Sequence, residues 1–393
     1  MSDLAIFSGK PFFDQPLYVG RPAIGDRQRF FEFVNDILNR KWLTNNGRYV
    51  REFEKKISEY LGVKHCIAMC NGTVAIEIAI RALELQGEVI VPAFTFIATA
   101  HALQWQQITP VFCDIDPATH LLDTTKLEEL ITSRTTGILG VHIWGQPCGI
   151  AKLEKIAAKH HLKLLFDAAH AFGCSSNNKM IGNFGDAEIF SFHATKYFNT
   201  FEGGAVVTNC DDLARKIRLM KNFGFSGYDH VISIGTNGKM SEICAAMGLV
   251  NMDALENGIA VNRERYARYE SELKNIPGLK ILRYKDSEKH NYQYIVLEID
   301  EAETGLSRDE LLKVLHADNI IARRYFYPGC HKMEPYRSSC ADASIWLPET
   351  EKVAQRVLVL PSGSAVTQDQ VKVICAVIRT AFDHASQIRE KLS

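Results

Sequence analysis

Short apolar runs alternate with helical patterns along the first half of the chain. Stretches with helical spacing lie between several of these runs, at residues 74–85, 125–131 and 150–160. Strands that alternate with helices form a mostly parallel sheet with helices on both faces. The pattern therefore predicts an α/β fold with a mostly parallel seven-stranded sheet, whose strands are residues 65–70, 88–93, 109–116, 137–144, 163–168, 187–193 and 204–209.

The pattern changes after about residue 209, where strands and helices no longer alternate regularly. A long helical stretch covers residues 241–273, and its Asn257-Gly258 pair predicts a bend or break. This mixture is typical of a smaller α+β C-terminal domain, so we divide the chain into a large domain, residues 1–250, and a small domain, residues 251–393. The other predicted elements are helices at 212–222, 308–317, 349–357 and from about 367, and strands at 280–284, 292–299 and 320–326.

The first forty or so residues predict an N-terminal arm of the large domain. They contain Pro11, Pro16 and Pro22, followed by an amphipathic helical pattern at residues 26–39. Prolines disfavour regular elements, whereas an amphipathic helix needs a surface to cover. We therefore expect the arm to pack on the rest of the chain.

Composition and charge narrow the class of protein. The hydrophobic share of 46% and the charged share of 23% are those of a soluble globular protein. A formal net charge of -1 argues against nucleic acid or an anionic membrane as a partner bound over a broad surface. The longest apolar stretch, residues 89–103, carries Pro92, Thr95 and His101, so it predicts a strand running into a helix and no membrane span.

The ten cysteines are scattered without a CxxC pair, which favours reduced thiols over disulfides or a zinc site. The chain opens Met1-Ser2-Asp3 with neither a basic nor an apolar leader region. We therefore predict a cytoplasmic protein without a metal site.

Two polar groups follow predicted strands at the edge of the sheet where ligands bind. Asp167 ends the strand at 163–168, and Lys196 follows the strand at 187–193. A lysine amine and a carboxylate at strand ends suit pyridoxal phosphate, which needs a covalent amine partner and an anion beside its pyridine nitrogen. The alternatives are a surface lysine in a turn and an aspartate that caps a helix or pairs with a structural arginine.

Four neighbouring features are weaker alone. Asn71-Gly72-Thr73 open a helix and suit a phosphate, although an ordinary helix N-cap is the default explanation of this tripeptide alone. His170 suits a hydrogen bond to the cofactor's ring hydroxyl, or a core position. Ser191 is a candidate phosphate ligand, and Phe96 is either a stacking partner for a flat heterocycle or plain core. A nicotinamide dehydrogenase is discounted because no GxGxxG turn follows the first strand.

The ordered set of motifs resembles the DegT/DnrJ/StrS sugar aminotransferases, a family of fold-type I pyridoxal phosphate enzymes. The resemblance covers nearly the whole chain, and the block Ser-Phe-His-Ala-Thr-Lys before Glu-Gly-Gly is its most specific part. The quoted motifs are residues 42–47, 53–54, 71–73, 92–96, 167–170, 191–196, 202–204, 237–242 and 327–331.

The resemblance implies a role for each matching residue. Lys196 binds the cofactor covalently and then moves protons, whereas Asp167 pairs with the pyridine nitrogen. A homodimer with shared active sites is implied because Asn237 reaches the phosphate of the other subunit's cofactor. The remaining roles are contact with the ring hydroxyl by His170, stacking by Phe96, and phosphate binding by Gly72, Thr73 and Ser191.

The resemblance is greatest to enzymes that aminate C4 of dTDP-4-keto-6-deoxyglucose with nitrogen from L-glutamate. Amination of C3 of a 3-keto sugar is the alternative within the family, and a regulatory or binding protein without turnover is the alternative from another class. His193 and His331 are candidate contacts for the hexose. Arg323 and Arg324 are natural anion partners, or surface arginines, and carry no assignment.

Overall fold

The computed structural model describes residues 4–339 and 347–392. Its central feature is a seven-stranded sheet with the order β1-β7-β6-β5-β4-β2-β3, in which only β7 runs antiparallel to its neighbours. The predicted mostly parallel sheet is therefore confirmed. The strands are β1 (His65–Met69), β2 (Glu88–Pro92), β3 (Thr109–Cys113), β4 (Thr135–Val141), β5 (Lys163–Asp167), β6 (Ala187–Ser191) and β7 (Gly204–Thr208).

Helices cover both faces of this sheet, which explains why its strands are nearly continuous apolar runs. The amphipathic helix of the arm begins where predicted, because the Asp26 carboxylate accepts hydrogen bonds from the first turn. The helices packed on and around the sheet are Arg27–Arg40, Arg48–Leu61, Gly72–Ala82, Ala98–Gln104, Ile150–His160, Asp211–Met220 and Glu242–Asp253. Of these, Arg48–Leu61 was not predicted.

Two predicted helical stretches differ from the structure. Residues 125–131 contain only the short 3-10 turn Glu128–Leu130, because the Asp123 side chain binds the backbone and hydroxyl of Thr125 and favours a turn. The long stretch breaks at Ala254 rather than at Asn257-Gly258. The following helix, Leu255–Leu273, packs on the core beside the sheet through Leu255 and Ile259 and then enters a separate C-terminal core.

The C-terminal part is built on a three-stranded antiparallel sheet, β8 (Leu279–Ile281), β9 (Ile295–Ile299) and β10 (Val357–Leu360). Strand β10 was not predicted. The predicted strand at 320–326 is wrong as a continuous strand. Ile320–Ile321 pairs with the arm, and beyond these residues only Arg323 pairs with this sheet, through an isolated bridge to Val359 of β10. The helices here are Arg308–Ala317, Pro348–Arg356, Gln368–Asp383 and Ala385–Leu392.

The arm contacts both parts of the molecule. Leu17–Tyr18 pairs in parallel with Ile320–Ile321, and the side chains of Leu4 and Leu17 lie in the C-terminal core. The predicted boundary between residues 250 and 251 stays a prediction. No helix in the described part of the chain combines the length and apolar character that a membrane crossing needs.

Candidate active site

A cavity of about 500 Å³ opens beside the carboxyl ends of the central strands. Its size suits a small organic ligand, and its walls are mostly apolar with a few polar groups. Chain segments that are far apart in sequence supply these groups. The predicted site residues that line it are Gly72, Thr73, Phe96, Asp167, His170, Ser191, His193 and Lys196.

One end of the cavity is a helix N-terminus held against strand β6. The Asn71 side chain caps the helix Gly72–Ala82 by accepting from the Val74 amide at 2.8 Å. A β-carbon at Gly72 would lie 2.9 Å from the Cβ of Ser191, so only glycine allows this close approach. The first amides of a helix have no partner within it and carry the positive end of its dipole. This end of the cavity therefore suits a phosphate.

Asp167 is a buried carboxylate with few donors around it. Its Oδ2 accepts from the Thr99 hydroxyl at 2.8 Å, and its Oδ1 accepts from the Ala169 amide at 3.0 Å. Burial raises the pKa of Asp167, although these hydrogen bonds and the charge of Lys196 oppose the rise. A capping role for Asp167 explains only the hydrogen bond of Oδ1 to the Ala169 amide. No arginine among the described residues pairs with the carboxylate. An anion held this way is stabilised by any further cation in the cavity.

Lys196 lies in the turn after β6, and its amine faces the cavity rather than open solvent. Burial lowers the pKa of Lys196 to about 8, with the Asp167 carboxylate opposing the shift. The interpretation as an exposed surface lysine is therefore wrong. A larger neutral fraction near neutral pH is the condition for a lysine to act as a nucleophile or base.

His170 is buried, stacked on Trp144, and fixed in one tautomer. Its Nδ1 accepts from the Trp144 backbone amide at 3.3 Å, so the ring proton belongs on Nε2. Burial, and then the charge of Lys196, lower the pKa of His170 well below its usual range. The neutral ring therefore offers one N–H donor from its second nitrogen.

Phe96 and His193 also line the cavity. Phe96 has 58% of its surface exposed, whereas Phe94 is fully buried, so the core interpretation holds only for Phe94. His193 Nδ1 lies 2.8 Å from the Thr195 hydroxyl, and its Nε2 is 3.5 Å from Glu202. An exposed aromatic face at the cavity suits a flat ring.

These groups fit pyridoxal phosphate on structural grounds. The helix N-terminus beside Ser191 offers donors to a phosphate, and the Lys196 amine lies in the same cavity as the Asp167 carboxylate. The raised pKa of Asp167 marks a carboxylate that a protonated pyridine nitrogen would stabilise. In the described residues, no group of three or more histidine, cysteine and acidic side chains is placed to hold a metal ion.

Two predicted residues do not line the cavity. Asn237 is exposed, and its backbone bridges to Asn222 outside the cavity. His331 is buried between Phe112 and Glu351, with its Nε2 3.4 Å from the carboxylate of Glu351. The geometry gives no support to a contact between His331 and a hexose.

Sequence reasoning left three residues of the site without an assigned role. Thr99 binds Asp167, and Tyr294 lies 3.3 Å from the Lys196 amine. Arg323 lines the cavity, whereas its neighbour Arg324 pairs with Asp309 at 3.1 Å. The adjacent arginines were visible in the sequence, but nothing local distinguished one from the other. Tyr294 carried no local signal.

Comparison with known proteins places the chain in one family. It is 37% identical over 366 residues to a dTDP-4-amino-4,6-dideoxy-D-glucose transaminase of Shigella dysenteriae, covering 93% of this chain and 99% of that protein. It is 32% identical over 373 residues to a GDP-perosamine synthase of Vibrio cholerae, covering 94% and 99% respectively.

A solved structure is similar over almost the whole chain. The crystal structure of DesI in the presence of its TDP-sugar product is 46% identical, with a TM-score of 0.95 and 99% of each chain covered. The model of the DegT/DnrJ/EryC1/StrS aminotransferase family matches residues 25–379. The chain therefore belongs to the DegT/DnrJ/EryC1/StrS aminotransferase family.

Proposed function

We propose that this enzyme transfers an amino group from L-glutamate to C4 of a nucleotide-linked 4-keto-6-deoxyhexose, with dTDP-4-keto-6-deoxyglucose as the expected substrate. The product is a 4-amino-4,6-dideoxy sugar nucleotide. The observation that carries the proposal is the meeting of Lys196, Asp167 and the helix N-terminus at Gly72 in one cavity. The transaminase from Shigella dysenteriae and the TDP-sugar complex of DesI support the sugar and the carbon.

The cofactor is pyridoxal phosphate, which supplies an electron sink and a carrier for the amino group. Lys196 Nζ is the amine that would bind it, and the same nitrogen is placed to take and return a proton. Asp167 would hold a proton on the ring nitrogen. His170 would donate from Nε2 to the ring oxygen, and Phe96 would cover the ring face and keep water out.

The position of amination can be tested directly. The purified protein is incubated with each nucleotide-linked ketosugar and 15N-labelled glutamate, and NMR identifies the carbon that carries the label. We expect nitrogen on C4. Nitrogen on C3 would contradict the proposal in favour of the second sugar position. The alternative of a binding protein without turnover predicts no labelled product from either sugar.

We further propose that two copies form a homodimer and that Asn237 acts in the partner's site. Asn237 is exposed and does not line the cavity of its own chain. The hairpin Phe225–Gly227 and His230–Val231 precedes it, and apolar side chains of this segment, including Tyr228 and Ile234, are exposed. An exposed apolar surface of this kind suits an interface.

Complementation between two inactive variants tests this arrangement. Lys196→Ala lacks the amine and Asn237→Asp places a negative charge where a phosphate would bind. If the sites are shared, a mixed dimer has one intact site, so mixing the two after reversible dissociation restores up to about a quarter of the wild-type activity, since half of the dimers are mixed. If Asn237 serves its own chain, mixing restores nothing.

The cytoplasm is the proposed location. The nine cysteines within the described residues are free thiols, which agrees with a reducing compartment, and Cys340 lies outside the described residues.

A further inference from the structure

The hydroxyl of Tyr294 touches the amine of Lys196 from outside the large sheet. The Lys196 amine donates to the Tyr294 hydroxyl oxygen at 3.3 Å, although the two residues are 98 positions apart in the sequence. Tyr294 directly precedes strand β9 of the C-terminal sheet and is only 5% exposed. The C-terminal part of the chain therefore contributes a group to the cavity.

The backbone around Tyr294 is tied to both loops that carry the site. The Asn291 side-chain amide donates to the carbonyls of His170 and Phe172, at 2.8 and 3.1 Å, in the loop after β5. The Gln293 side chain donates to the carbonyl of Thr195, at 3.5 Å, in the loop after β6. This segment, residues 291–294, holds both loops against one another.

The ring of Tyr294 is fixed as firmly as its backbone. The backbone carbonyl of Tyr294 accepts a hydrogen bond from the Tyr284 hydroxyl at 3.0 Å. Its ring centre lies 4.4 Å from that of His170 and 5.4 Å from that of Trp144, so the packed aromatic rings restrict its rotation. The hydroxyl oxygen therefore occupies one place relative to the Lys196 nitrogen.

This contact fixes the place of the Lys196 nitrogen. A flexible lysine side chain otherwise samples many orientations. The ammonium donates to the Tyr294 hydroxyl oxygen and the neutral amine accepts from the hydroxyl hydrogen, so the nitrogen stays beside one fixed oxygen in both protonation states. Preorganisation of this kind lowers the entropic cost of reaching the reactive geometry.

We propose that Tyr294 is a positioning residue that holds the nitrogen of the free Lys196 side chain at one place in the cavity. The inference rests on the proposed function, in which Lys196 is the amine that binds pyridoxal phosphate and moves the proton. The ring of Tyr294 maintains the packing, and its hydroxyl alone performs the positioning.

Tyr294→Phe removes the hydroxyl and keeps the ring. The rate at which the apoprotein captures pyridoxal phosphate, followed by absorbance, is expected to fall roughly 10-fold, the size of one hydrogen bond. In the holoenzyme kcat is expected to fall by a similar factor while KM for both substrates changes less than about twofold. Tyr269→Phe is the matched control, because Tyr269 is fully buried and its hydroxyl donates to the Pro361 carbonyl away from the cavity.

Capture and kcat within twofold of the wild type in Tyr294→Phe would overturn the inference. Should that variant fold poorly, 3,5-difluorotyrosine at position 294 decides the matter, because it nearly keeps the shape and changes the strength of the hydroxyl as donor and acceptor. A capture rate that differs from that of the wild type supports the inference, and a wild-type rate contradicts it. Borohydride reduction of the wild type separates a failure of this inference from a failure of the proposed function. Pyridoxal phosphate fixed to Lys196 supports the proposed function whatever the effect of Tyr294→Phe, whereas fixation to another residue overturns both proposals.

Discussion

Asp114 and Asp167 are two buried aspartates at the carboxyl ends of parallel strands in the same sheet, but their surroundings differ. The carboxylate of Asp114 accepts from the amide and hydroxyl of Thr350, both at 2.8 Å, from the Ile115 amide at 3.0 Å, and from the Lys126 amine at 3.1 Å. Asp167 accepts only from Thr99 and Ala169 among the described residues.

The difference in donors reverses the direction of the pKa shift. Burial alone would raise the pKa of Asp114, but the hydrogen bonds from Thr350, Ile115 and Lys126 lower it below its usual value. Burial raises the pKa of Asp167, and its two hydrogen bonds do not compensate. A strand-end aspartate is thus structural where the protein supplies its donors. It is a candidate functional group where donors are left to a ligand.

The largest expected effect concerns the cation that Asp167 faces. Lys196→Ala should lower aminotransferase activity by roughly 10³-fold or more, because the amine is the proposed nucleophile and base. The variant should show no borohydride-dependent label on the peptide that contains position 196, as judged by mass spectrometry. Lys163→Ala, at the exposed start of β5, is the control and should retain both activity and label. If Lys196→Ala retained turnover, the cavity that contains Asp167 and Lys196 would not be the active site.

Asp167→Asn should separate activity from stability. We expect kcat to fall roughly 10²–10³-fold, as when a preorganised electrostatic partner is removed. The side-chain oxygen of asparagine keeps an acceptor for the Ala169 amide, the Thr99 hydroxyl can turn to accept from the new NH₂ group, and a buried charge is lost. The melting temperature of the apoprotein should therefore stay unchanged or rise. A large loss of stability with normal kcat would show that Asp167 is structural after all.

Asp114→Asn should show the opposite pattern. Its new NH₂ group would face donors instead of accepting from them, so the free energy of unfolding should fall by about 3 kcal/mol, measured by denaturant titration. Activity of the folded fraction should stay within about twofold, because Asp114 does not line the cavity. Activity lost without loss of stability would contradict the structural role.

The pKa of Lys196 tests whether it responds to the charge of Asp167 and not to that of Asp114. Acylation of Lys196 in the apoprotein should be half-maximal near pH 8, because burial lowers its pKa to about 8 from its usual value. Since the Asp167 carboxylate opposes that shift, Asp167→Asn should move the midpoint to lower pH, whereas Asp114→Asn should leave it in place. Competitive labelling with mass spectrometry measures the midpoint in each variant. Equal movement in both variants would contradict the assignment.

The lowered pKa of Lys196 also makes the stability of the protein depend on pH. A lysine whose folded pKa is depressed binds fewer protons in the folded state than in the unfolded chain. Between about pH 8 and the ordinary lysine pKa, the contribution of Lys196 to the free energy of unfolding should therefore increase with pH. Lys196→Ala should lose this increase.

The sequence predicted the fold where local pattern and burial agree. All seven strands of the large sheet read as apolar runs because both faces are covered, and the fold-type I architecture expected from the resemblance is confirmed. Strand β10 was missed because it follows the helix Pro348–Arg356 without a loop: Val357 is both the helix C-cap and the first residue of the strand. The strand expected at 320–326 is divided between two partners. Ile320–Ile321 pairs with residues some 300 positions earlier in the chain, whereas Arg323 bridges to Val359 of β10.

The site divides in the same way. Lys196 and Asp167 follow predicted strands, so chain order alone placed them at one edge of the sheet. Tyr294 and Arg323 reach the cavity through the packing of the C-terminal part, which no local spacing encodes. The difference between Asp167 and Asp114 was equally hidden, because Thr350 lies 236 residues after the carboxylate that it caps.

The smallest expected effect concerns Lys126, the charged partner of Asp114 among the described residues. Lys126 is 45% exposed on its side chain, so its ion pair with Asp114 is screened by solvent, and Lys126→Ala should cost only about 0.5–1 kcal/mol of unfolding free energy. Lys372→Ala, which breaks the exposed pair with Asp369, is the control and should cost less. If Lys126→Ala destabilised the protein as much as Asp114→Asn, the ion pair would be the main stabilising contact. In that case the hydrogen bonds from the uncharged donors, such as Thr350, would not explain why the pKa of Asp114 is lowered while that of Asp167 is raised.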